Sequence, residues 1–432
     1  MKSLALVASL ALLCVAPAPP ARGGTLHLPV GDPARKDREV AVVLDGITDA
    51  ARGDTIGPAE LAARLDSVKL VFVGESHTDI EFHRVQLRVI QELQRRGRQV
   101  LVGLEMYPVT EQASLDRWNS KKGLSEESFL ADSHWYRNWG YHWNYYRDIF
   151  LFARNSGIPM YAVNLPRSAV QTIRMKGFDA LPPEQRAMLP PKVDIENAEH
   201  QQLFHASFDT TDTMHGNMPE PVFQSMYRAQ CAWDAAMGWN ALQALKRNGN
   251  SKAIMVVLIG SGHVAYGLGA ERQVRTWFDG RTASVIPVPI AEKDPTAPIG
   301  KVQASYANFV WGLAPETDPV YPSVGIATPE QKSGEHYKVI MVSEESPAEA
   351  AGFKVGDELV SIDGVVIADK ETTNRAMSEK RWGDTVVYKV IRDGAEHTLT
   401  VFLRRRPPAS PAAGTPAATP GMPPQPHEEG AR

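Results

Sequence analysis

The segment "VFVGESHTDIEFH", Val71 to His83, sets Glu75, His77, Asp79, Glu81 and His83 within nine residues, where an apolar run stops. Carboxylates and imidazoles at this density can move protons, hold a divalent metal or ligate iron. Two other apolar runs end in the same kind of residue. "LVGLEMY" ends in Glu105 and Tyr107, and "LIGSGHVAYG" carries His263 and Tyr266. Glu75 and His77 lie two apart, so on extended chain they share a side. Glu105 closes an apolar strand, where a carboxylate is costly to bury without a partner. The glycines at 74, 260 and 262 let the backbone turn sharply or approach a ligand closely.

These segments need elements to position them. "VKLVFVGE" reads as a buried strand, "IEFHRVQLRVIQELQRRG" as a helix closing on Gly97, and "QVLVGLEMY" as the next strand. Strand, helix, strand at these lengths is a βαβ unit. The alternation returns with a helix over 143–156, the strand "IPMYAVNL", a long helix over 222–248, the strand "KAIMVVLIGSGH", a helix over 268–278 and the strand "SVIPVPI". The fold class expected is α/β: a mostly parallel sheet flanked by helices, with a helical insertion over 167–221, plus a C-terminal β-rich domain. Ligands of such sheets bind beyond the carboxyl ends of the strands. Parallel strands would bring residues 75, 105 and 263 to one rim.

The smaller features divide between site and scaffold. Asp79 and Glu81 read as charges complementing a helix N-terminus. His83 reads as a helix surface or interface residue. In "WYRNWGYHWNYYRDIF" the tryptophans at 135, 139 and 143 stand four apart, as helical core packing or as a flat wall for a ligand. Nothing in the sequence places His134 or His142. Cys231 lies in a helical pattern and reads as a buried small apolar residue.

The 432 residues carry a net charge of −4 and no long basic stripe, which argues against a nucleic-acid partner. With two cysteines, Cys14 and Cys231, a disulfide framework and a multi-cysteine metal site are excluded. Residues 1–22 read as a signal peptide, with Lys2, an apolar stretch and Ala16-Pro17-Ala18 as cleavage site. Cys14 offers a second outcome, a lipid-anchored end, although Leu13 stands where such sites carry a small residue. The protein is thus expected to be exported, to the periplasm or cell envelope. The remaining divisions are an α/β domain over 40–292, a Pro-rich linker over 293–321, a β-rich module over 322–405 and a Pro/Ala-rich tail over 406–432 that cannot bury enough surface to fold.

Taken together, "VFVGESHTDIEFHRVQ", "LVGLEMY", "WNYYRDIFLFARNSGIPMYAVNLPR" and "IGSGHVAYGLGAERQ" resemble the ChaN-type haem-binding domain of exported bacterial iron-acquisition lipoproteins. That group is itself distantly similar to the erythromycin esterases and to Tiki/TraB-like metalloproteases. The resemblance implies haem as cofactor, iron ligated by a tyrosine oxygen, and haem pairs held face to face between two subunits of a homodimer. Tyr266 is the first candidate ligand and Tyr107 the competitor, since a ferric ion lowers a phenol's pKa enough for phenolate ligation. His263 and His77 are the imidazole candidates, with Glu75 and Glu105 lining the pocket.

A second reading stays open. A metal-dependent hydrolase would hold a divalent ion with His77 and His263 and activate water with Glu75 or Glu105 as the catalytic base. No HExxH or GxSxG motif supports it. A third makes the chain a scaffold whose α/β site is vestigial. The C-terminal stretch "VSEESPAEAAGFKVGDELVSIDGVVI" resembles the bacterial PDZ domain. The resemblance assigns Ser323, Val324, Gly325 and Ile326 to the loop that takes the terminal carboxylate of a peptide or protein partner, the peptide then adding a strand to the sheet edge.

Overall fold

The computed structural model describes residues 25–120, 123–209, 219–290, 300–315, 319–329 and 332–405. The expected signal peptide, the alternative anchor at Cys14 and the tail beyond 405 lie outside the described residues. No helix among the described residues is long and apolar enough to cross a membrane.

Ten strands build the larger domain. They are β1 (Glu39–Ala41), β2 (Ile47–Asp49), β3 (Thr55–Ile56), β4 (Val68–Glu75) and β5 (Gln99–Pro108), followed by β6 (Met160–Asn164), β7 (Ala253–Gly260), β8 (Arg281–Pro289), β9 (Lys301–Gln303) and β10 (Phe309–Leu313). Eight form one sheet in the order β3-β2-β10-β8-β4-β7-β5-β6, and β1 pairs with β9 apart from it. The run from β10 to β6 is parallel throughout, while β2 and β3 join antiparallel at one edge. The α/β class and the mostly parallel sheet are as expected. The linker is not: within 293–321, β9 and β10 are strands, and β10 is a buried member of the sheet. Its run "FVWGL" is short, between Asn308 and Ala314-Pro315, so only its pairing with β8 and β2 reveals it.

The alternation of side chains sorts β4, β5 and β7 between two cores. Val71, Val73, Val100, Val102, Leu104, Val256 and Leu258 face one side, with the helices Ile80–Arg95, Gln112–Ser120 and Arg147–Asn155. Leu70, Phe72, Leu101, Met255, Val257 and Ile259 face the other, with the helices Glu220–Asn248 and Ala270–Arg275. Strands buried on both faces read as continuous apolar runs, which is why these were visible in the sequence. The insertion supplies the short helices Arg167–Lys176, Pro183–Arg186 and Ala198–Asp209.

The tryptophan-rich segment is not one helix. A short turn of helix, Trp135–Asn138, gives way to Gly140 at φ +90°, then to a 3-10 turn at Trp143–Tyr145. Trp135 and Trp143 enter the core, whereas Trp139 is only partly covered. The four-residue spacing therefore misleads, because the glycine rotates the chain between the tryptophans.

The C-terminal domain has a four-strand antiparallel path, Tyr337–Lys338, Glu358–Ile362, Thr385–Arg392 and Ala395–Phe402, with Val365–Val366 beside the second strand. The Gly356-Asp357 turn is held by the buried Asp357 carboxylate, which takes a two-toothed bond from Arg392 (2.6 and 2.7 Å) and one from the Lys354 N–H.

Candidate functional site

β7 lies between β4 and β5, so the three expected strand ends must meet around Gly260. Glu75 pairs with Gly260 across the parallel ladder. A methyl group built on Gly260 would lie 3.2 Å from His77 Cε1, 3.5 Å from His263 Cδ2 and 3.6 Å from Glu105 Oε2. The geometry thus brings Glu75, His77, Glu105 and His263 together over one glycine.

Glu75 is fully buried, and donors fill both its oxygens. Oε1 accepts the Tyr146 hydroxyl at 2.7 Å and lies 2.7 Å from His77 Nδ1, while Oε2 accepts Gln86 Nε2 at 2.7 Å. His83 Nδ1 stands 3.5 Å from the same carboxylate. Burial by itself would raise the Glu75 pKa, but the His83 and His77 rings and the Tyr146 hydroxyl outweigh it and hold the carboxyl at about 2. For His77, burial pulls the imidazole down, and the Glu75 bond with the Glu75 and Glu105 charges more than restores it, so the pKa is raised. The His77 side chain remains 29% exposed. Its Nε2 makes no hydrogen bond among the described residues. Trp139 stands edge-on to this ring at 4.7 Å between centroids, and Tyr141 tilts against it at 4.9 Å.

The second half of the site centres on His263. Its Nδ1 lies 2.6 Å from Asp234 Oδ1, and its Nε2 lies 3.4 Å from Glu105 Oε1. Glu105 in turn accepts the Gly260 N–H at 2.5 Å. The β5–β6 register skips between Leu104 and Pro108, and Asn164 Nδ2 catches the Glu105 carbonyl at 2.8 Å, which turns residues 105–107 out of the regular ladder. Burial would lower the His263 pKa, yet the two flanking carboxylates push it up to about 10. At neutral pH His263 is an imidazolium clamped between Glu105 and Asp234.

The tyrosines lie elsewhere. Tyr107 is fully buried, donates to Ser133 Oγ at 2.8 Å and packs among Phe129, Trp135 and Phe150. Tyr266 belongs to the opposite core, at φ +62°. Its hydroxyl donates to the Thr25 carbonyl at 2.7 Å and accepts the Leu28 N–H at 3.0 Å, tying down the N-terminal segment. Burial raises both phenols, so neither is poised as a phenolate. His83, expected at a helix surface or an interface, is not at the surface: it is 2% exposed and bonded to Gln86 Oε1 and the His77 carbonyl. The reason is its helix face, which leans on Tyr146 rather than on solvent. Asp79 caps that helix through the Glu81 N–H.

Sequence reasoning missed Asp234, Tyr146 and Gln86. Asp234 left a signal, since it is an acidic residue in the middle of the otherwise apolar "CAWDAAMG". Its carboxylate also lies 3.5 Å from His200 Nε2, an imidazole that burial pushes down to about 4. Cys231 is buried beside His200, as expected, and burial pushes its thiol up to about 12. Among the described residues, no group of three or more His, Cys, Asp or Glu side chains is arranged to hold a metal ion.

In the C-terminal domain, Gly325 sits at φ +91°, with the place of its missing Cβ 2.3 Å from Ser346 Cβ, so only glycine fits. Ser343 N–H donates to the Gly325 carbonyl and Ala348 N–H to that of Val324. Ser323 is exposed, Val324 is buried, and Ile326 begins a short strand paired with Met341–Val342.

Residues 61–274 match the family model described as haem-binding uptake, Tiki superfamily, ChaN, and residues 322–403 match the PDZ domain model. Among solved structures, the chain is similar to ChaN of Campylobacter jejuni, described as binding haem cofacially. The two are 16% identical, with 61% of this chain and 95% of that one covered, at a TM-score of 0.48. It is also similar to a serine endoprotease of Yersinia pestis, at 25% identity and a TM-score of 0.17, over 19% of this chain and 29% of that one. A candidate zinc metalloprotease of Mesorhizobium japonicum is 40% identical over 62 residues, which span 14% of this chain and 17% of that protein. The chain therefore carries a ChaN-type domain of the Tiki superfamily followed by a PDZ domain.

Proposed function

We propose that this protein binds haem at the Gly260 rim, with His77 Nε2 as the iron ligand. One observation carries the reading: His77 Nδ1 is fixed on a buried carboxylate, while Nε2 has no hydrogen-bond partner among the described residues and stands beside two aromatic rings. A histidine whose other nitrogen donates to a carboxylate is oriented, made more basic and held in the right tautomer for metal ligation. The donor set fits haem, whose iron takes an axial ligand from the protein, an imidazole nitrogen among the common ones, beside a largely apolar wall. Trp139 and Tyr141 would supply that wall. Haem, once bound, supplies a redox-active iron or serves as cargo; the residues here hold and orient it. Glu75 positions His77 and is too enclosed to meet water. His263, protonated between two carboxylates, has no lone pair to offer iron.

We further propose that the protein is exported and takes part in haem or iron acquisition, and that the PDZ domain binds a peptide or protein C-terminus through residues 323–326. The family match supports the first reading and the glycine-specific loop the second. Ferric haem titrated into the purified chain should give a Soret-absorbing complex. That complex should be lost or strongly shifted in His77→Ala and retained in Tyr107→Phe and Tyr266→Phe. A complex indifferent to His77→Ala but lost in Tyr266→Phe would return the phenolate reading. No complex at all, with metal-dependent ester or peptide cleavage abolished in Glu105→Gln, would replace haem binding by hydrolysis.

A further inference from the structure

The wall beside His77 is held from the PDZ domain. Trp139 and Tyr141 flank Gly140, and the side chain of Asn374, on the PDZ helix Lys370–Ser378, reaches this turn. Asn374 Nδ2 donates to the Tyr136 carbonyl at 2.8 Å, and it lies 2.8 Å from where a Cβ on Gly140 would be. Around it the two domains are joined closely. The Arg375 guanidinium lies over the Tyr136 ring at 5.6 Å, and His142 Nε2 donates to the Ser378 carbonyl at 2.8 Å. His142 also stacks on Tyr321 at 3.5 Å, and the Tyr321 N–H donates to the Tyr145 hydroxyl. Within its own domain the turn is held by Trp135, whose carbonyl accepts the Trp139 N–H at 2.8 Å and whose ring N–H donates to the Tyr141 carbonyl at 2.8 Å. The PDZ helix adds the Asn374 bond from the other side.

We infer that Asn374 is a positioning residue for the candidate haem site, setting the Trp139–Tyr141 turn against His77 and so coupling ligand occupancy there to the PDZ helix. The coupling is reciprocal: whatever ordering the helix lends to the turn, a ligand on the turn must return to the helix. The chain of contacts is short and physical, running from Asn374 to the Tyr136 carbonyl, then to the Trp139 and Tyr141 rings and His77. The haem arm of this inference rests on the proposed function, whereas the ordering arm does not.

The test uses the full chain. In Asn374→Ala, and in the near-isosteric Asn374→Asp that lacks the donor, amide hydrogen exchange at 136–141 should quicken about fivefold, the factor one neutral hydrogen bond typically supplies. Exchange in the sheet strands should not change. With haem, both variants should weaken binding by a similar factor and shift the Soret band, and haem on the wild type should slow exchange at 370–378. Lys389→Ala, at an exposed position of a PDZ strand, serves as control and should do neither. Wild-type haem binding with unaltered exchange and spectrum in both Asn374 variants overturns the inference. A wild-type chain that takes no haem overturns the proposed function instead; exchange at 136–141 then decides the inference alone, unchanged protection refuting it.

Discussion

Replacing Glu75 by glutamine tests the central arrangement most directly, since the side chain keeps its size and loses its charge. In the wild type three donors, from Tyr146, His77 and Gln86, reach its two oxygens at 2.7 Å each. Hydrogen bonds to a charged group exceed neutral ones by about 1 kcal/mol each, so the substitution forfeits roughly 3 kcal/mol. A neutral amide costs less to bury than a carboxylate, which returns on the order of 1 kcal/mol. The net expectation is a destabilisation of about 2 kcal/mol at pH 7, read by urea unfolding with tryptophan fluorescence. The pH dependence carries a sign. The Glu75 carboxyl is held at about 2, below its ordinary 4.5, so its contribution is complete above pH 4.5 and is lost as pH falls through 2. The gap between wild type and Glu75→Gln should therefore narrow below pH 4.5. The His77 imidazole should also titrate lower in the variant by NMR, and haem affinity should fall about 10- to 100-fold, as for other residues that orient a metal ligand. Equal stability at pH 7 with an unmoved His77 titration would refute the argument.

Asp234→Asn should drop the His263 pKa from about 10 and cost about 3 kcal/mol, the usual range for removing one partner of a buried ion pair. Because a raised histidine stabilises fully below its ordinary 6.5 and loses that contribution as pH rises through 10, the deficit should be full at pH 6, shrink above pH 6.5 and be gone above pH 10. His200 works with the opposite sign. Held neutral down to about pH 4, it should make the protein lose stability between pH 6.5 and 4, with a shallower slope in His200→Gln by urea unfolding. Gly260→Ala places a methyl 3.2 Å from His77 Cε1, so it should fold with a cost of about 1 kcal/mol yet weaken haem binding in the same titration; unaltered affinity would mean the rim does not close on this glycine.

The parallel strands were legible because a strand buried on both faces is apolar at every position, and β4, β5 and β7 are written that way. Their polar ends were legible too, since Glu75 and His263 stand where the apolar runs stop. β10 was not, its five residues being too few to stand out from a Pro-rich neighbourhood without β8 beside them. Tyr266 misled for a related reason. Lying three residues past His263, it shares that segment, yet its positive φ turns the phenol toward Thr25 and Leu28.

By itself, then, the sequence determined the α/β alternation, the PDZ pattern and the identity of four groups at the rim, because each is set by residues close along the chain or by a repeated period. Only the tertiary structure decided which groups complete them. Asp234, Tyr146 and Asn374 reach the site from helices and turns 29 to 238 residues away, and what selects them is the packing of helix faces and domains, which no local spacing records.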